Sequence, residues 1–338
     1  MTVSSEAARP DVANPPARAA NSWKAVLVSW LRRVLLTAVV AGAGYYLVSR
    51  WDEFWSTLAT VPWYSGVLSM VAVVAGIVTG VFAWQTVIND LGEPVSRVRA
   101  AQIYLVSQLG KYVPGSVWAY VLQMELGRKA GLPRARIFVS SLVQLAVSVV
   151  AMLTLGMIAL PKLLDQNPRA VWLYVALPCS LVALHPKVMT FGVNLVLRML
   201  RKATLDHELH WTTIARTLGL SALTYVLFGL HLWLLATAGG TPSLDVLLLC
   251  IGSIAVGLVA GLVFFMVPSG VGARDVLVAL VLVPTVGVTA AAAFAVASRV
   301  MFTVAELATA GGAALLARIR NPEITAAVNT TAVGGSGS

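Results

Sequence analysis

The chain has 338 residues, of which 58% are hydrophobic and only 11% charged, with a formal net charge of +10. A soluble domain carries about a quarter charged residues, so this composition and the mean hydropathy of +0.83 exclude an ordinary water-soluble globular domain. Lys and Arg fall in short clusters between apolar runs (Arg32 and Arg33, Arg97 and Arg99, Arg128 and Lys129, Arg134 and Arg136, Arg198 to Lys202). That is the pattern of basic loops retained on the cytoplasmic side, and no nucleic-acid recognition motif accompanies it.

Residues 1–22, rich in Ala, Pro, Ser and Asn, read as a disordered cytoplasmic tail, because they cannot bury enough apolar area to offset ordering. No secretory signal with a small-residue cleavage site is evident. Residues 23–320 read as one transmembrane domain. Residues 321–338 read as a second disordered tail whose GGSGS ending has the form of a linker scar. A crossing takes about 20 apolar residues, and six spans are predicted: Val34–Ser49, Trp63–Asn89, Ile137–Leu160, Ala170–Leu184, Thr212–Ala238 and Val288–Ala317. Two further apolar stretches are interrupted by Pro and Gly. Ala100–Leu126 breaks at GKYVPGSVWAY and Leu244–Val283 at VPSGVGARD.

If each broken stretch dips in and returns, the N-terminal segment, 90–136, 185–216 and the C-terminal segment are cytoplasmic and hold 19 of the 24 Lys and Arg. Outside are Arg50, Lys162 and Arg169. The same assignment makes the halves 34–160 and 170–317 inverted repeats, each with two spans, a re-entrant segment and a third span. Val113-Pro114 and Val267-Pro268 mark equivalent breaks. The fold class is therefore an all-α polytopic helical bundle of six to eight spans with two re-entrant segments. The eight-crossing alternative takes Leu244–Met266 and Ala273–Val283 as separate crossings. Broken helices in inverted repeats are the architecture of secondary transporters, and non-helical backbone at that depth requires protein or water around it. The breaks are accordingly expected to line a cavity.

Arg274 and Asp275 follow the glycine-rich break and open the next helix, whose free N–H groups and partial positive charge suit a phosphate. Arg274 adds a bidentate donor. Pro268, Ser269, Gly270 and Gly272 shape the turn that lets backbone approach a ligand. Arg299 and Glu306, about two turns apart in the last span, share a face and are costly toward lipid, so both are expected inside the bundle. Lys111 precedes the first break as a second phosphate contact, with Pro114, Gly115, Trp118 and Tyr120 after it. The structural alternatives are a snorkelling Arg274 at a capped helix end, a structural interhelical pairing of Arg299 and Glu306 with Asp275 or a glutamine, and an interfacial aromatic belt for Trp118 and Tyr120.

Gly76/Gly80 and Gly257/Gly261 form GxxxG pairs that read as close helix packing. Pro186–Leu205 reads as an interfacial amphipathic helix, His207–His210 as a solvated loop one residue short of a metal motif, and His231 as a packed hydrogen-bonder. Cys179 and Cys250 lie in apolar runs, which argues against a disulfide. No nucleotide-binding, hydrolase or metal motif is present, so no cofactor or metal is expected.

GKYVPGSVW (110–118) and PSGVGARD (268–275), with Arg299 in a late span, resemble the signatures of the transmembrane domain of lysylphosphatidylglycerol synthetase/flippase proteins over roughly residues 25–320. Ser269 stands where a second Gly is common and Asp275 where Glu is usual. The resemblance implies a multi-pass plasma-membrane protein that translocates modified phospholipids or lipid-linked polar groups. The soluble aminoacyltransferase domain of the fused members is missing, so synthesis of a lysyl-lipid is not expected. The function expected is an ATP-independent flippase with both termini cytoplasmic and membrane lipids as partners. A separate lipid-modifying enzyme and a second copy of the chain stay open as partners. The alternatives are an integral-membrane glycosyltransferase or lipid-modifying enzyme on a polyprenyl-phosphate-linked substrate, with Asp275, Glu125 and Glu306 as its candidate acids, and a non-catalytic scaffold.

Overall fold

The structure, a computed structural model, describes residues 59–112, 117–158, 185–199, 209–237, 243–263 and 273–320, with Asp52, Trp55, Ser56 and Val182. These residues form α-helices α1 (Trp63–Asp90), α2 (Arg97–Gln108), α3 (Trp118–Lys129), α4 (Arg134–Gly156), α5 (Pro186–Met199), α6 (Trp211–Ala236), α7 (Leu244–Val263), α8 (Ala273–Val286) and α9 (Val288–Arg320), with a 3₁₀ turn at Leu109–Tyr112. The protein is a polytopic helical membrane protein. Helices α1, α4, α6, α7 and α9 are long and apolar enough to cross a bilayer. Four of the six predicted spans coincide with α1, α4, α6 and α9, whereas Val34–Ser49 and Ala170–Leu184 lie outside the described residues. Helix α7 has the length for a crossing of its own, as the eight-crossing arrangement requires.

Both interruptions read from Pro and Gly fall between helices. Helix α2 runs into a 3₁₀ turn before α3, and α7 is separated from α8. The halves share one element order: a long helix, two helices flanking an interruption, then a long helix.

In lipid, helices associate through close van der Waals contact and interhelical hydrogen bonds, because apolar burial gives no advantage over lipid tails. The most extensive pairing, α1 on α6, follows that rule. Ser65, Ser69, Ala72, Gly76 and Gly80 are on the buried face of α1. A Cβ on Gly76 would lie 2.5 Å from Phe228 Cε1 and 3.2 Å from the Thr224 carbonyl oxygen. Gly229 of α6 is tighter still, since a Cβ there would come within 2.5 Å of Ile251 Cα on α7. His231, fully buried, bridges three helices: Nδ1 is 2.6 Å from Ser69 Oγ and Nε2 is 2.9 Å from Ser298 Oγ. Cys250 is a buried free thiol.

Helix α9 divides its faces by helical period. Arg299, Phe302, Thr303, Glu306 and Thr309 face an internal cavity, while Val300, Val304 and Leu307 are exposed on the outside, where lipid would lie. Helix α5 has the expected amphipathic form, with Met189, Val193 and Leu197 buried against α4 and Phe191 and Leu195 exposed. His207 and Glu208 lie outside the described residues, and the His210 side chain is largely exposed, in keeping with the solvated loop expected there. Leu209 is 2% exposed, and His210 precedes α6 with Nδ1 2.7 Å from Asp90 Oδ1 and its backbone N–H donating to Asp90 Oδ2 at 3.1 Å. The segment thus ties the ends of α1 and α6 together.

A second tie joins the end of α1 to α4. Arg136 Nη2 donates to the Ile88 carbonyl at 2.6 Å and also to the Glu93 carbonyl. Carbonyls at a helix C-terminus lack intrahelical donors, and a cation there complements the helix dipole. Arg136→Met is expected to lower stability by about 1–2 kcal/mol, read as a lower thermal unfolding midpoint in detergent. An unchanged midpoint would show that solvent satisfies these carbonyls equally well.

Candidate functional site

One cavity of about 530 Å³ lies inside the bundle, lined from every described helix except α5. Pockets of this size enclose most of a small ligand. The two interruptions converge on it. Lys111 and Tyr112 come from the 3₁₀ turn before the first, and Arg274, the second residue of α8, comes from just after the second.

The charged part of the cavity is arranged in pairs. Glu306 on α9 accepts from Lys111 Nζ at 2.6 Å and from the Tyr112 hydroxyl at 2.8 Å. Arg299, about two turns earlier on α9, has Nε 3.7 Å from Asp275 Oδ2. Arg274 differs. It is 7% exposed, forms no ion pair with a carboxylate among the described residues, and stacks its guanidinium 4.3 Å over the Phe302 ring. Phe302 is in turn held edge-on by Phe228 at 4.7 Å and by His231 at 5.3 Å between ring centroids. Cation–π contact of a desolvated arginine is worth about 2 kcal/mol, well short of the several kcal/mol that desolvating the ion costs. Gly257 on α7 makes room for this placement, because a Cβ there would sit 3.2 Å from the Arg274 carbonyl oxygen and 3.3 Å from its Cγ.

Set against the residues expected from the sequence, Arg274, Arg299, Lys111, Glu306 and Tyr120 all line the cavity. Asp275 is not in the lining but meets Arg299 beside it. Trp118 opens α3 with its side chain about half exposed and is outside the lining. Pro114, Gly115, Pro268, Ser269, Gly270 and Gly272 lie outside the described residues. Glu125, one of the three acids considered for an enzyme, is held by Arg128 at 2.6 Å and Arg134 at 2.8 Å and does not line the cavity.

A second, uncharged group of lining residues was not singled out as a site: Tyr104 on α2, Gln123 on α3, Ser141, Gln144 and Ser148 on α4, and Tyr225 on α6. Gln144 Nε2 donates to the Tyr104 hydroxyl at 3.3 Å and to the Gly80 carbonyl at 3.2 Å. Ser141 Oγ donates to Gln123 Oε1 at 3.1 Å. An amide in the middle of an apolar span is the signal that could have found Gln144, since polar side chains at that depth turn toward a cavity or a partner. Phe302 carries no such signal. The GxxxG glycines have a second effect beyond packing, for Gly76, Gly80 and Gly261 all border the cavity.

Three cationic side chains (Lys111, Arg274, Arg299) against two carboxylates (Glu306, Asp275) leave the site net positive. Among the described residues no group of three His, Cys, Asp or Glu is placed to hold a metal ion. No curated protein matches the chain. Residues 30–308 match the profile of the lysylphosphatidylglycerol synthase transmembrane region, and the chain belongs to that family.

Proposed function

We propose that this protein is an ATP-independent flippase that carries an anionic phospholipid, or another phosphate-linked lipid, across the plasma membrane through the central cavity. One observation carries the reading: a nearly buried arginine, Arg274, stands beside an interrupted helix in a net-positive cavity and has no carboxylate of its own among the described residues. A lipid phosphate would supply that missing anion through a bidentate contact, with Arg299 and Lys111 as further contacts once Asp275 and Glu306 yield them. The phosphate would cross inside the bundle while the acyl chains remained in lipid. Phe228, Leu258 and Leu262 in the cavity wall give the glycerol–acyl junction an apolar surface. Family membership supports a lipid-related membrane role, and the basic loops support cytoplasmic termini. In the proposed cycle the two broken segments are re-entrant, and the halves rock around the site as inverted repeats do.

The test is transport by the purified full chain in liposomes containing a head-group-accessible fluorescent anionic phospholipid. The fraction of label protected from an impermeant quencher should fall below the half that a static bilayer retains, without ATP. Protection equal to that in protein-free vesicles would sink the flippase reading and favour a scaffold. Chemical conversion of an added lipid would favour an enzyme.

A further inference from the structure

Resting on the phosphate reading of the cavity, we infer that the group carried beyond the phosphate is neutral and rich in hydroxyls, of the glycosyl, inositol or glycerol kind, and is not a cationic aminoacyl group. Two observations independent of Arg274 lead there. The first is Gln123. It is 2% exposed, its Oε1 accepts from Ser141, and its Nε2 is buried with no hydrogen-bond partner among the described residues, although the residue is part of the cavity wall. Buried amide donors are almost always satisfied, so an unfilled one in a cavity wall points to an acceptor that arrives with a ligand.

The second is the chemistry around it. Tyr104, Tyr120, Gln144, Ser148 and Tyr225 share the wall with Gln123, and every one is an uncharged donor and acceptor. The Tyr104 hydroxyl accepts from Gln144 and keeps its own O–H to donate. Hydroxyls of a sugar or polyol are themselves donors and acceptors, and they match amides and phenols without charge. An ammonium group finds the opposite. Glu306 is the one carboxylate in the described lining, and Lys111 and Tyr112 already occupy it. The remaining ionised groups there are cations, so an aminoacyl ammonium would meet like charge. A volume of about 530 Å³ is also more than a bare phosphate needs.

The experiment measures binding of four lipids to the purified full chain by native mass spectrometry in a mild detergent. They are phosphatidylmethanol, phosphatidylinositol, lysyl-phosphatidylglycerol and a polyprenyl-phosphate hexose. The first two carry the same phosphodiester charge and differ in the group beyond it, a methyl against a ring bearing hydroxyls. The inositol lipid or the hexose lipid is expected to bind about tenfold more tightly than phosphatidylmethanol, as two added hydrogen bonds would give, with lysyl-phosphatidylglycerol weakest. Whichever of the two hydroxylated lipids leads identifies the diacyl or the polyprenyl source. Gln123→Leu should remove most of that preference while leaving phosphatidylmethanol binding intact. The protein should tolerate this change because the single Ser141 hydroxyl proton can turn to the Ile137 carbonyl, 2.8 Å from Oγ. Gln144→Leu is the second variant and should act in the same direction. Equal binding of phosphatidylinositol, the hexose lipid and phosphatidylmethanol would overturn the inference, as would tightest binding of the lysyl lipid. Loss of the underlying phosphate reading has a different signature, in which no phospholipid responds to removal of the Arg274 guanidinium.

Discussion

Arg274→Ala is expected to lower anionic-phospholipid binding by about 100-fold or more and to abolish flipping, with the folded protein intact. The magnitude follows from hydrogen bonds to charged groups, each worth about 1.5–3 kcal/mol, two of which a guanidinium gives to one phosphate. Together they amount to at least two decades in affinity. The fold should survive because Arg274 contributes no ion pair to it among the described residues. What is lost is a stacking contact on Phe302, and what is relieved is the desolvation of a buried cation. A thermal midpoint unchanged or slightly raised, together with lost transport, is the expected combination. Arg274→Lys keeps the charge but not the fork or the stacking plane, and should recover only part of the binding. Both quantities are read on the same preparations, by lipid titration and by the liposome assay. Transport unaffected by Arg274→Ala would remove the arginine from the mechanism. A lowered midpoint with transport lost in proportion would make it a structural residue.

Much of the bundle was legible because in a membrane the hydrophobic period and the loop charge carry most of the information. Helices α1, α4, α6 and α9 lie where apolar length alone places them. The described helices also end before and resume after each of the two Pro/Gly stretches. Of the site, the charges were readable, since Arg299 and Glu306 have no affordable position facing lipid and both line the cavity. Their pairing was readable only in part, since Arg299 with Asp275 was the structural alternative and is what the structure has, whereas Lys111 on Glu306 was not foreseen. Which cation is left for a ligand depends on distances between helices far apart in sequence. The uncharged wall was hidden for a related reason. Tyr104, Ser141 and Tyr225 have the types and spacings of ordinary interhelical contacts, and only their convergence on one cavity distinguishes them. The contact of His210 with Asp90 was hidden because Asp90 lies at the end of another helix.

Gly110→Ala is expected to have the second large effect, for steric reasons and not electrostatic ones. Gly110 is buried in the 3₁₀ turn, immediately before Lys111. A Cβ there would lie 2.7 Å from the Ala119 backbone nitrogen, 2.8 Å from Ala119 Cα and 2.8 Å from the Trp118 carbonyl carbon. Those atoms belong to the first turn of α3 and cannot rotate aside as a side chain can, so the turn and α3 must separate. Overpacking of this kind costs about 1–3 kcal/mol, and the displacement acts directly on Lys111 and Tyr112, the two groups that hold Glu306. Both a lower thermal midpoint and loss of flipping should follow. Gly219→Ala on α6, where nothing lies within 4 Å of the added Cβ, serves as the comparison. It should keep full transport and gain up to about 1 kcal/mol from helix propensity. If Gly110→Ala also leaves stability and transport unchanged, the turn and α3 are free to move apart, and the Lys111–Glu306 contact does not set the geometry of the site. If stability falls while transport persists, the close approach serves folding alone, and the anion must be held by Arg274 and Arg299 without Lys111.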